Sequence, residues 1–320
     1  MEFEQYKTNR SKEISDRYVI SASTLESKYN KLIHRLKFSR LILDKHSETA
    51  RLKIRHAVEL AVLTKKMNDD ISAIKMPEPI DGTKSRKRAL LVGINYINSV
   101  NELNGCINDA ENVAKNLVGF STIVKLTDNT QTKPTRNHIL DQFRRMLMNS
   151  VAGDCLLFLF SGHGSQTVDR NGDETDKLDE CLYTIDNKYI KDDELNLLIR
   201  AYLKKNVTLF AIMDCCHSGT ILDLKYEYLD YMENPKNIEV TGNVIMISGS
   251  RDNQYSSDAY INSTYQGAMT WAFLNNLKPQ ITWRELATNM RTSLSESEYT
   301  QIPVLSSGKF VDIDSKFLFA

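Results

Sequence analysis

The sequence predicts an α/β domain built on a mainly parallel sheet sandwiched by helices, preceded by an N-terminal helical segment. Three observations lead there. From residue 89 onward, short apolar runs recur, each closed by Gly, Ser, Asn or Asp, and several are apolar throughout, as strands buried on both faces are. Amphipathic helical patterns separate these runs, which is the alternation of a parallel sheet covered on both sides. The first 75 residues differ, with apolar positions at helical spacing and no strand-like runs.

In the helical segment, Leu25, Tyr29, Leu32, Leu36, Leu43, Ile54, Ala57 and Ala61 mark the apolar face. The pattern lapses at Ser39 and His46, so a helical hairpin or a docked helix is expected and a long coiled coil is not. "MPEPIDGTKSRKR" (76–88) stops the helix with two prolines and a glycine and reads as a linker. Its basic cluster reads as solvated charge and not as a nuclear-localisation or nucleic-acid patch. The expected domains are therefore a helical segment at 1–75, a linker at 76–88 and a main domain at 89–320.

Within the main domain, "ALLVGINY" (89–96), "STIVKLTD" (121–128), "DCLLFLFSG" (154–162), "VTLFAIMD" (207–214) and "NVIMISGS" (243–250) are the predicted strands. Helices are predicted near 106–118, 135–149, 192–205, 266–277 and 283–295. In parallel sheets, function gathers at the carboxyl ends of the strands.

Composition bounds the class. The 320 residues carry a formal net charge of zero, which hides an excess of eight positive charges in residues 1–88 and eight negative charges in the remainder. A basic helical segment of this kind can meet an acidic protein partner or nucleic acid as well as the acidic domain that follows it, nucleic acid being the disfavoured reading. No apolar stretch approaches the roughly 18 residues of a membrane span, and the polar start shows no secretory signal. Five cysteines without framework spacing argue for reduced thiols and an intracellular, cytoplasmic setting.

Two strand ends carry chemistry. "LFLFSGHGSQ" delivers His163, and "LFAIMDCCHSG" delivers Cys215 and Cys216. A thiol becomes a nucleophile when a nearby imidazole takes its proton, and one parallel sheet would bring these ends to one edge. Gly162 and Gly164 leave space around His163, and backbone N–H groups in such a turn can face a developing oxyanion. A zinc site from Cys215, Cys216 and His217 is disfavoured, because adjacent cysteines chelate one tetrahedral ion poorly. Asp214, two residues before Cys216, shares a strand face with it, and Asp109 starts a helix after the first strand. Two anions in one cleft would select a cationic side chain, although Asp109 could equally serve the helix terminus. "DRNGDETDKLDE" (169–180) and "KDDEL" (191–195) form a second acidic region, which lacks the glycine and spacing of an EF-hand and reads on its own as a solvated turn.

Together, "LVGINY", "LNGCINDA", "FLFSGHGSQ", "DECLYTID", "DDEL", "MDCCHSGT", "GAMTWAFL" and "QIPVLSSG" resemble the metacaspases, cysteine peptidases of the caspase-like fold. The resemblance runs from about Ala89 to Ala320. It implies Cys216 as nucleophile, since the family's cysteine directly precedes His-Ser-Gly, with Cys215 a packed residue. It implies His163 as general base and acid, with the N–H groups of Gly164 and Cys216 as the oxyanion hole. It implies cleavage of protein or peptide substrates after Arg or Lys, with Cys106, Asp109, Ser161 and Asp214 around the basic side chain. It also implies activation by Ca²⁺, through carboxylates matching Asp176, Asp192, Asp193 and Asp223; Asp173 or Asp179 are alternatives to Asp176. A silent scaffold of the same fold and an Asn-directed transpeptidase are the rivals, disfavoured by the intact Cys–His pair and by the two aspartates respectively. The catalytic domain is expected to be monomeric. The helical segment departs from the Pro/Gln-rich pro-segments common in the family. Self-cleavage is expected in or beside the linker, at Lys75, Lys84, Arg86 or Lys87, or in the loop 224–240, at Lys225 or Lys236.

Overall fold

The computed structural model describes residues 86–168, 178–216, 218–219, 221–229, 232–233, 240–249, 258–261, 264–309 and 311–317, together with 25–34, 45–72 and a few single positions near the N-terminus. The chain divides into two compact units, Met1–Pro79 and Ile80–Ala320.

In the first unit, α1 (Lys45–Ser72) meets the preceding helical stretch through Tyr29. The buried Tyr29 ring stacks on His56 at 4.9 Å, and its hydroxyl donates to Glu59 at 2.8 Å. This is a helical hairpin. The face of α1 differs from the sequence expectation: Ile54 is 65% exposed, and Ala57 and Ala61 are exposed too. The covered side instead runs through Leu52, His56, Glu59, Leu63 and Met67, where longer side chains outweigh two alanines.

The second unit is built on β1 (Lys87–Gly93), β2 (Phe120–Thr127), β3 (Cys155–Ser161), β7 (Thr208–Asp214) and β10 (Asn243–Ser248), all mutually parallel. β13 (Val304–Ser307), β8 (Tyr226–Tyr228) and β9 (Met232–Glu233) extend the sheet antiparallel, in the order β2-β1-β3-β7-β10-β13-β8-β9. β3, β7 and β10 are apolar and almost wholly buried, as strands covered on both faces must be. The helices α2 (Cys106–Asn116), α3 (Arg136–Met148), α4 (Asp192–Tyr202), α5 (Ala268–Asn276) and α6 (Trp283–Glu296) lie within a few residues of their predicted bounds. Thr135 caps α3, and Thr282 with Glu285 forms a capping box on α6. Phe210 of β7 packs with Phe273, Trp283 and Phe317 in an edge-on aromatic cluster that fixes α5 and α6 to the sheet.

Several features differ from the sequence reading. β8, β9 and β13 are not among the predicted strands, and β8 and β9 fall within the expected loop 224–240, where antiparallel pairing to β13 holds the chain as an edge of the sheet. The linker's last residues belong to the domain: Lys87 lies in β1, paired with both β2 and β3, and the buried Arg88 donates to Asp154 at 2.7 Å. Two small antiparallel sheets were also not anticipated. One joins β4 (Gly164–Val168), β5 (Leu178–Tyr183) and β6 (Tyr189–Lys191); the other joins β11 (Asp258–Ile261) and β12 (Thr264–Gly267). β1 is also shorter than predicted, because the chain leaves the sheet after Gly93.

The connection from β1 runs one way to β2 and then returns past β1 to β3. Such a reversal opens a crevice beyond the carboxyl ends of the strands on either side of it.

Candidate active site

At that crevice the register places Gly93, Ser161 and Asp214 in a row across β1, β3 and β7. The chain then runs on into Gly162-His163-Gly164 from β3 and into Cys215-Cys216 from β7. Gly162 N–H donates to the Asp214 carbonyl at 3.2 Å, tying the two strand exits together. A Cβ on Gly164 would lie 1.9 Å from the Cys216 carbonyl oxygen and 3.2 Å from its nitrogen. Only glycine permits that approach, so the His163 turn lies directly against the Cys216 backbone.

The two thiols are not equivalent. Cys215 is buried, and burial, followed by the nearby Cys216 and Asp214 charges, pushes its thiol well above the ordinary range. Cys216 is partly exposed. A thiol held protonated by its surroundings is a poor nucleophile.

His163 is held on several sides. Its Nε2 lies 2.8 Å from the Asn101 carbonyl oxygen. A carbonyl only accepts, so Nε2 carries the hydrogen and Nδ1 keeps the lone pair. Its backbone N–H donates to the Tyr96 hydroxyl at 2.9 Å, and its carbonyl accepts from Tyr183 N–H at 3.0 Å. The loop supplying Asn101 is anchored in turn by Asp128, which accepts from Asn95 N–H at 2.7 Å and Ile97 N–H at 3.1 Å.

Beside the two strand ends is a buried acidic pair. Asp109 of α2, 0% exposed, accepts from Ser161 Oγ at 2.7 Å and from Gly267 N–H at 2.9 and 3.1 Å. Asp214, 4% exposed, accepts at Oδ2 from Thr270 N–H at 2.9 Å and Thr270 Oγ1 at 2.7 Å. A Cβ on Gly267 would meet Asp214 Oδ2 at 2.1 Å and Asp109 Oδ2 at 2.8 Å, so both carboxylates converge on that glycine. Asp109 thus reaches across the cleft from its helix to both β3 and the start of α5. Cys106, also buried, opens the same helix.

This arrangement can be compared with known proteins. Residues 87–225 match the family model described as "Metacaspase, peptidase C14 domain". The Metacaspase-1 of Kluyveromyces lactis is 36% identical, over 73% of this chain and 68% of its own length. This chain belongs to the metacaspase family. The Metacaspase-1 of Saccharomyces cerevisiae is 32% identical, over 78% of this chain and 72% of its own length. Among solved structures, a Geobacter sulfurreducens protein superposes with a TM-score of 0.55 at 24% identity, covering 72% of this chain and 97% of its own, which is a likeness of fold. Family membership carries the caspase-like α/β fold and a cysteine peptidase activity.

The second acidic region of this metacaspase is partly assembled. Ligand oxygens of Asp179, Asp192 and Asp193 lie within 4.8 Å of one another. Asp192 accepts from Glu180 N–H and Asp193 N–H, both at 2.7 Å. Burial nevertheless drives its carboxyl up to about 8, with Asp193 and Glu180 adding repulsion. A buried carboxyl that resists ionising among other acids fits a hard divalent cation, which oxygen ligands of this kind bind. Lys191 is ion-paired with Asp179 at the rim of the cluster. Asn196, one turn along α4 from Asp192, donates to the Leu222 carbonyl at 3.0 Å, which brings the segment carrying Asp223 to that helix. Asp176 and Asp173 lie outside the described residues, so Asp179 is the described member from the 169–180 stretch.

Of the self-cleavage candidates, Lys75, Lys84 and Lys236 fall outside the described residues. Lys225 precedes β8, its ammonium 5.2 Å from the Tyr226 ring centroid. Arg86 and Lys87 need correcting as loop positions. Arg86 is bonded through its N–H to Asp154 and through its carbonyl to Cys155, each at 2.9 Å, and Lys87 is within the sheet. Tyr96, Thr270 and Gly267 were not singled out from the sequence, although "LVGINY" and "GAMTWAFL" contained them. Among the described residues, no helix is long and apolar enough to cross a membrane.

Proposed function

We propose that this metacaspase is a calcium-activated endopeptidase that cleaves after Arg or Lys, with Cys216 as nucleophile and His163 as acid–base partner. The observation that carries the reading is the convergence of Asp109 and Asp214 on Gly267, next to the strand ends that bear His163 and Cys216. Two buried carboxylates bonded by Ser161, Thr270 and Gly267 form a preset negative site. A guanidinium or ammonium brought there replaces lost hydration with opposite charge, whereas an acidic side chain is repelled.

In the reaction, His163 takes the Cys216 proton at Nδ1, the nitrogen left basic by the Asn101 bond. The thiolate attacks the scissile carbonyl carbon, and the N–H groups of Gly164 and Cys216 stabilise the oxyanion. The imidazolium protonates the departing amine. Water, deprotonated by the same imidazole, then hydrolyses the thioester and frees Cys216. Asp179, Asp192 and Asp193, with Asp223 carried on the segment bonded to α4, would hold the calcium ion, which would supply positive charge beyond that of Lys191. Lys75 and Lys84, beside and within the linker, and Lys225, which immediately precedes β8, offer this specificity substrates within the chain itself.

The test is hydrolysis of matched short peptides ending in Arg, Lys, Asn or Asp before the reporter, in calcium and in chelator. Arg and Lys peptides should be cleaved in calcium only, and Asp109→Asn or Asp214→Asn should lose most of that activity. Equal cleavage of the Asp peptide would overturn the specificity, and full activity in chelator would overturn the role of calcium.

A further inference from the structure

We infer that the hydroxyl of Tyr96 is a positioning group for His163, holding the imidazole at its working place beside Cys216. The inference rests on the His163–Cys216 reading above. The Tyr96 oxygen accepts from His163 N–H at 2.9 Å and donates to the Tyr183 carbonyl at 2.8 Å. Tyr183 returns the connection, its own N–H donating to the His163 carbonyl at 3.0 Å. Three hydrogen bonds thus close a ring through the segment after β1, the turn before β4 and the end of β5. The side chains follow the same path, with the Tyr96 ring 4.9 Å from the imidazole and 5.6 Å from the Tyr183 ring.

Tyr96 is built for this task and for little else. It is buried, and it adopts a φ of 51°, a left-handed backbone that an aromatic residue rarely takes. That backbone turns the side chain back under the His163 turn at the point where the chain leaves β1. Burial holds the phenol well above its ordinary range, so it stays a neutral group able to donate and accept at once. Phenylalanine would keep the ring contacts and lose both bonds, leaving the His163 N–H and the Tyr183 carbonyl unpaired. With that link gone, His163 keeps, among the described residues, the Asn101 carbonyl at its ring, the Tyr183 N–H at its backbone and the ring contact with position 96. A misplaced general base lowers the rate of the chemical step more than it weakens peptide binding, because the Tyr96 hydroxyl bonds the backbone of the base itself.

The experiment uses the full chain as wild type, Tyr96→Phe, Tyr96→Leu, His163→Ala and Cys216→Ala. Each is assayed with an Arg peptide in calcium for kcat and KM separately, and for the pH profile of Cys216 alkylation by iodoacetamide, read by mass spectrometry. Thermal unfolding is recorded alongside. Expected for Tyr96→Phe is a fall in kcat of about tenfold or more, KM within twofold of wild type, and an alkylation profile displaced toward that of His163→Ala. Tyr96→Leu should fall further. Wild-type kcat and an unchanged alkylation profile in Tyr96→Phe, with His163→Ala and Cys216→Ala inactive, would overturn the inference and leave the dyad standing. A loss of kcat with a wild-type alkylation profile would also overturn it, since a purely structural defect does not act through the imidazole. Activity retained in His163→Ala or Cys216→Ala would instead remove the dyad, and this inference with it.

Discussion

Thr270 donates twice to a single oxygen of Asp214, through its backbone N–H at 2.9 Å and its hydroxyl at 2.7 Å. Thr270 lies in the first turn of α5, so the helix terminus and the hydroxyl together fix the carboxylate at the carboxyl end of β7. A carboxylate that must meet a cation needs a fixed orientation more than extra charge. Thr270→Val keeps the shape and the N–H bond and removes the hydroxyl. Losing a hydrogen bond to a charged group costs about 1.5–3 kcal/mol, so kcat/KM for Arg and Lys peptides should fall about tenfold to a hundredfold. Thr270→Ser should recover most of it. Equal kcat/KM in Thr270→Val and wild type would mean that Asp214 does not depend on this contact.

How much of this was legible beforehand follows from the kind of signal each element leaves. β3, β7 and β10 announce themselves because strands buried on both faces have no room for polar residues. β4 and β5, "GSQTV" and "LDECLY", carry polar residues that serve the site and the acidic cluster, so they leave no apolar run to read. Asp214 is visible by its spacing from Cys216, whereas Thr270 lies in a helix buried on nearly every side, where one more small residue draws no attention. Arg88 reads as part of a basic linker because a buried guanidinium looks like a solvated one until its partner, Asp154, is found 66 positions away. Tyr96 ends an apparent strand in the sequence, and nothing local signals its left-handed turn.

The contrast between neighbouring thiols gives a second prediction. Cys215 is sealed under the strand end with its thiol held protonated, while Cys216 has access to solvent. Cys216→Ala should abolish peptide cleavage, and His163→Ala should be nearly as inactive. Cys215→Ser should retain most activity and lose some stability, since it places a hydroxyl in a buried site. Active-site alkylation mapped by peptide mass spectrometry should label Cys216 in both wild type and Cys215→Ser. Loss of activity in Cys215→Ser with an unchanged melting temperature would reverse the assignment.

The acidic cluster predicts an unusual dependence of stability on pH. The Asp192 carboxyl is pushed from its ordinary value of 3.8 up to about 8 in the folded protein, chiefly by burial. Between those values the folded state holds a proton that the unfolded state has lost. Its stabilising contribution is therefore complete below about pH 4 and disappears as pH rises toward 8, by at most about 1.4 kcal/mol per pH unit. In chelator, the wild-type melting temperature should show this decline, and Asp192→Asn should have a flatter slope whatever its absolute stability. Calcium should oppose the decline, because a bound cation favours the ionised carboxylate, and its affinity should rise with pH over the same window. Parallel slopes for wild type and Asp192→Asn in chelator would show that Asp192 ionises normally.

The start of β1 restricts where the chain can be processed. Arg88 donates to Asp154 and to the Asn149 carbonyl, and Arg86 N–H donates to the other Asp154 oxygen. Asp154 is fully covered, and cutting after Lys87 would remove Arg86 from it and leave β1 to begin at its second residue. Losing a hydrogen bond to a charged group costs about 1.5–3 kcal/mol, and pulling Lys87 into a protease cleft would also unzip it from β2 and β3. Self-processing after Arg or Lys, as proposed, should therefore stop short of the strand. Lys84 in the linker and Lys75 beside it are the positions that leave residues 86–88 in place, and cleavage at either would separate the basic helical segment from the chain of the catalytic domain. Wild-type protein incubated with calcium should yield a catalytic fragment beginning at or before Ser85, identified by mass spectrometry of its terminus. Cys216→Ala should stay intact alone and be cut when wild-type enzyme is added, which separates self-processing from a contaminant. A chain made to begin at Ala89 should melt well below one beginning at Ser85. Recovery of an active wild-type fragment beginning at Arg88 would show that the strand start is dispensable.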